Sequence, residues 1–170
     1  MRTAVTVALV LLVLVLAGLG FIFSGIYDVA ASTPDMGLIQ WALATTQHRS
    51  VERRAEEVKA PPLDDPALIR TGLIEYHEMC VVCHGAPGVP ISPAGQGLNP
   101  APPLLADESG EDAGELFWVT KNGIKMTGMP AFGVTHSDEE LWAIVAFMKK
   151  MGDLTPEEYQ RMVREAGVPE

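Results

Sequence analysis

Cys80-Val81-Val82-Cys83-His84 decides what this 170-residue chain can be. Two thiols separated by two residues sit about one helical turn apart, where they can add to two vinyl groups on one edge of a porphyrin, and the next residue swings an imidazole under the iron. The pentapeptide is the attachment signature of c-type haem. It predicts one covalent haem c, with Cys80 and Cys83 as thioether residues and His84 as an iron ligand. Competing uses of these residues fit worse. A thioredoxin-like disulfide needs a strand before the motif in a βαβ setting, and no such pattern surrounds it. A zinc site needs four ligands, and the other histidines, His48, His77 and His136, stand at no finger-like spacing.

Outward from the motif, the helical signals are regular. Helices are expected over 66–82, 112–123, 137–151 and 156–166. Ser137 with Glu140, and Thr155 with Glu158, match the S/T-x-x-E capping box, and Pro156 occupies a first-turn position. Leu141, Ile144, Val145 and Met148 recur at helical spacing, with Trp142 and Phe147 widening the apolar stripe. Between 85 and 110 the chain is rich in proline and glycine, lacks strand alternation and reads as a long irregular segment of the kind that wraps something.

These landmarks resemble class I c-type cytochromes, small all-α domains that enclose a single haem. The resemblance covers residues 64–151. It rests on a helix ending in Tyr76-His77-Glu78-Met79 before the haem motif, the proline-rich turn Leu98-Asn99-Pro100-Ala101-Pro102-Pro103-Leu104, a helix containing Phe117-Trp118, the segment Gly128-Met129-Pro130-Ala131-Phe132-Gly133, and the closing helix Leu141 to Met148. The resemblance implies that the closing helix packs against the first. It also implies that a backbone carbonyl of the proline-rich turn accepts the bond from the ligand histidine's second nitrogen, for which Pro100 and Pro102 are candidates.

The second axial ligand is expected to be Met129. Pro130 holds its backbone extended, Gly128 permits close approach to the porphyrin, and 45 positions separate it from His84, enough to reach the opposite face. Met126 is the rival, without glycine and proline neighbours. A histidine–methionine pair raises the reduction potential, because a thioether favours ferrous iron. His77 and His136 read as surface histidines, and Trp118, Phe132 and Trp142 as walls of the haem pocket.

The amino-terminal end is of another character. From Ala4 to Phe23 there is no charged residue, a length that matches the roughly 30 Å of a bilayer's hydrocarbon. A signal peptide with Val29-Ala30-Ala31 at its cleavage site is the alternative, but apolar cores of signal peptides are shorter. Arg2 and the amino terminus precede the span and the next base is Arg49, which orients the remainder outside the cytoplasm. Residues 1–27 therefore form the anchor, 28–63 a juxtamembrane helix over 36–58 and a proline-rich linker, and 64–170 the cytochrome domain with a C-terminal helical extension. The juxtamembrane helix is apolar first and charged later. It suits a lipid interface, a docking element for another membrane subunit, or a solvated spacer.

The net charge of −10 is uneven, with seventeen acids against seven bases after Lys59. That balance excludes nucleic acid as a partner class and suits a redox protein with a basic docking face. The expected function is single-electron transfer between respiratory or dehydrogenase partners, at the outer (periplasmic) face of a bacterial cytoplasmic membrane. The protein is expected to be a tethered carrier or a subunit of an oxidoreductase complex, not an enzyme in itself. The alternatives are a haem-based sensor or small-ligand binder in which Met129 dissociates, and a mainly structural subunit of a redox complex.

Overall fold

In the computed structural model, which describes residues 2–168, the uncharged run forms one helix, α1 (Arg2–Ser24). The amino-terminal charge and the last two residues of the expected 64–170 domain lie outside the described residues. No proline interrupts α1, none of its side chains is buried, and its 23 residues span about 35 Å. It is long and apolar enough to cross a membrane. Gly25, at φ 67°, follows its end. The chain divides into two compact units, Met1–Pro34 and Asp35–Glu170.

The second unit is all-helical, with no β-strand among the described residues. Helix α2 (Gly37–Ala55) belongs to it, burying Val51 and Ala55 in its last turns. Helix α3 (Pro66–Met79) starts where Asp65 accepts the Ala67 amide (2.9 Å) and Pro66 takes the first turn. The expected helix over 66–82 is in fact two: α3 stops at Met79, and α4 (Val81–His84) follows a bend at Cys80. Past the bend the turn is tightened, with the amides of Cys83 and His84 both reaching the Cys80 carbonyl (3.1 and 2.8 Å). The irregular segment contains one short helix, α5 (Pro93–Gln96), capped by Ser92, and a cis Asn99–Pro100 peptide.

Helix α6 (Ala113–Asn122) is capped by Asp112, which accepts from Gly114 and Glu115. A single 3-10 turn (Phe132–Val134) precedes α7 (Asp138–Met151), and α8 (Pro156–Ala166) closes the described chain. Both expected capping boxes are formed. The core joins Leu73, Tyr76 and Cys80 of the α3–α4 stretch to Phe117 of α6, to Leu141, Ile144, Phe147 and Met151 of α7, and to Tyr159 and Val163 of α8. Helices α3 and α7, first and closing helices of the expected domain, form the main packing pair, and a Cβ on Gly72 would collide with the Ala143 carbonyl. No buried side-chain nitrogen or oxygen among the described residues lacks a hydrogen-bond partner.

Candidate haem site

His84 is half-buried at the end of α4, and its Nδ1 lies 2.9 Å from the Pro103 carbonyl. A carbonyl only accepts, so Nδ1 carries the proton and Nε2 presents its lone pair. Burial holds the imidazole pKa below its ordinary value, and the Pro103 bond only partly offsets this. The result is a neutral, oriented ring in the tautomer a metal ligand needs. The partner is Pro103 and neither Pro100 nor Pro102, so the turn delivers the third of its prolines to the ring.

Cys80 is only 6% exposed and Cys83 is half-buried; both are free thiols. Burial first, then the neighbouring Cys83 and Glu75, pushes the Cys80 thiol up to about 12, which leaves it neutral. Helix α5 backs this turn, since a Cβ on Gly95 would lie 3.0 Å from the Cys83 Cα. On the other side of His84, the buried Tyr76 hydroxyl donates to the Gly85 carbonyl (2.8 Å). Burial raises the Tyr76 pKa far above the ordinary phenol value, so it stays a donor. Tyr76 thus ties α3 to the residue that follows the motif.

Met129 is half-buried in a turn held at both ends of its backbone. Its amide donates to Thr127 Oγ1 (3.1 Å) and its carbonyl accepts from the Ile124 amide (3.2 Å). Gly123, at φ 63°, lies so close that an added Cβ would be 2.7 Å from the Met129 carbonyl oxygen. Gly128 meets Leu98, whose methyl groups stand 2.7 Å from where its Cβ would be, so the turn bearing Met129 packs on the segment that leads to Pro103. Met126 is 97% exposed and adopts φ 61°.

The aromatic residues expected as pocket walls divide. Trp142 stacks on Phe117 with ring centroids 4.1 Å apart, tying α7 to α6, and Phe132 meets His136 edge-on. Trp118 is half-buried on α6. Two of the other histidines have protein partners: His77 Nδ1 is 2.7 Å from the Tyr159 hydroxyl, and His136 Nδ1 is 2.8 Å from Thr135 Oγ1. The roles of Tyr76, Gly95, Pro103 and Tyr159 went unassigned at the level of sequence. Only the proline turn signalled any of them in advance.

The donor set fits a haem. It consists of two free thiols a turn apart, an imidazole with Nε2 unprotonated, and a thioether on a fixed turn. Leu104 and Val134 are exposed apolar side chains on the segments that follow Pro103 and Met129.

Residues 67–148 match the family model described as cytochrome c oxidase, cbb3-type, subunit III. The match runs from the first turn of α3 into α7; α1, α2 and α8 lie outside it. No curated protein and no solved structure matches the chain. The C-x-x-C-H segment within an all-helical unit agrees with that match: residues 67–148 are a class I c-type cytochrome domain, similar to the cbb3-type subunit III model.

Proposed function

We propose that the chain is a membrane-anchored monohaem cytochrome that passes single electrons between redox partners, with α1 as a retained single-pass anchor and the haem domain outside the cytoplasm. Cys80 and Cys83 would hold the haem through thioether links, and His84 and Met129 would ligate its iron. The observation that carries this reading is the His84–Pro103 bond, which directs a neutral Nε2 away from the protein carbonyl.

When bound, the haem supplies an iron that cycles between ferric and ferrous states. The chain's own residues set the conditions. Pro103 and Tyr76 fix the imidazole and the backbone next to it. Thr127 and Gly123 fix the turn of Met129, whose thioether favours the reduced state. With both His84 and Met129 engaged, the iron would keep no open position for a substrate, which suits a carrier. The acidic balance of the domain suits a partner with a basic docking face, in a free carrier or a fixed subunit alike.

Intact mass and the alkaline pyridine spectrum of protein from membranes test the assignment. One haem per chain, lost in Cys80→Ala/Cys83→Ala, is the expected result. A mass without added haem, or two sulfurs joined to each other, overturns it.

A further inference from the structure

The loop that carries Met129 has a closed base. Helix α6 ends at Asn122 and α7 begins at Asp138, and the chain between them is tied together at successive depths. Innermost, the Ile124 amide donates to the Met129 carbonyl, and Gly123 lies against the backbone of Met129, Pro130 and Ala131. Farther back, Gly133 lies on Lys121, where an added Cβ would be 2.7 Å from the lysine Cγ and 2.9 Å from its carbonyl oxygen. Outermost, Lys121 Nζ donates to both carboxylate oxygens of Asp138, at 2.6 and 2.8 Å, across 17 positions of sequence.

Lys121 makes both outer closures, and its side chain is fixed along its length. The stem meets Gly133, and the ammonium stands 5.5 Å from the centre of the Phe117 ring, which itself stacks on Trp142 of α7. A lysine already held in this way loses little further rotamer freedom when it pairs. Asp138 is placed independently of the lysine, in the first turn of α7, where the helix dipole favours a carboxylate. Arg49–Glu52 and Lys150–Asp153 each join residues three apart, whereas Lys121–Asp138 bridges the two helices from which the Met129 loop springs.

We propose that Lys121 and Asp138 are positioning residues for the second axial ligand: their ion pair closes the base of the loop and slows departure of the Met129 thioether from the iron. The proposal rests on Met129 being that ligand. Both residues act through the ends of the loop. A partly exposed pair shifts an opening equilibrium by up to about fivefold, too little to hold the fold together and enough to set how often the loop opens.

The test is stopped-flow binding of CO to full-length, haem-loaded ferrous protein at saturating CO, where the rate is that of Met129 leaving. Expected is a limiting rate about fivefold faster in Lys121→Met, which keeps an apolar stem, and in Asp138→Asn, with no further increase when the two are combined. Lys121→Arg, which can still pair with Asp138, should return the unaltered rate. Met129→Ala, with its position open from the start, sets the upper limit. Slow binding by the unaltered protein beside fast binding by Met129→Ala upholds the ligand; unchanged rates in both single variants, or increases that multiply in the double variant, then overturn the proposal alone. Binding by the unaltered protein as fast as by Met129→Ala overturns the ligand assignment, and the proposal with it. A lower urea midpoint without a faster CO rate means that the pair supports only the fold, and this also overturns the proposal.

Discussion

Gly72 of α3 lies against the backbone of α7, so close that a methyl group in its place would collide with the carbonyl of Ala143. Helices cross at this separation only where one of them presents no side chain. Alanine there gains helix propensity, by about 1 kcal/mol in an exposed helix, but forces two backbones apart. Gly72→Ala is therefore expected to destabilise the haem-loaded protein by about 2–3 kcal/mol despite that gain, read as a lower denaturation midpoint in urea.

The Tyr76–Gly85 bond joins α3 to the residue after the haem ligand. Tyr76→Phe keeps the buried ring, including its contact with Phe147 at 5.3 Å between centroids, and strands the Gly85 carbonyl. The expected loss is about 1–3 kcal/mol. A change in the ferric spectrum should accompany it, because the backbone beside His84 loses its anchor.

Met129 and Met126 separate cleanly. Met129→Ala should open one axial position, so that the ferrous protein binds CO and its potential falls. Met126→Ala, removing a side chain the fold does not bury, should leave spectrum and potential unchanged. CO binding by the unaltered protein at the level of Met129→Ala would identify a ligand sensor instead of a carrier.

The start of α7 gives a pH dependence with a defined sign. Backbone and side-chain bonds from Ser137 hold the Glu140 carboxyl below its ordinary 4.5. A carboxyl with a depressed folded value adds stability that is complete above 4.5 and is lost as pH falls through the depressed value. Ser137→Ala should cost about 1 kcal/mol at neutral pH. The gap between it and the unaltered protein should narrow in thermal melts taken below pH 4.5.

The signals that were local were legible in the sequence. Asp112, Ser137 and Thr155 announce their helices because an N-cap is a matter of three or four residues, and Cys80-Val81-Val82-Cys83-His84 announces its chemistry for the same reason. The break at Cys80 was not legible. Residues 66–82 have uninterrupted helical periodicity, and nothing in their pattern marks the bend at Cys80. Nor was Pro103, since three prolines close together offer equivalent carbonyls until the turn's path is known. The same holds for the pairing of His77 with Tyr159, whose partners are 82 positions apart.

That last pairing bears on the order of events in the protein's making. Tyr159 and Val163 of α8, with Leu141 to Met151 of α7, close over the helix that ends at Cys80, and Pro156 abuts Gly88 just past the motif. The elements that share a core with Cys80 thus lie carboxyl-terminal to the motif. In a polypeptide delivered amino end first, the sulfur stays open to chemistry until the carboxyl-terminal third arrives. Were Cys80 to take a haem, attachment would have to come before that packing, and the distance along the chain would set the time allowed.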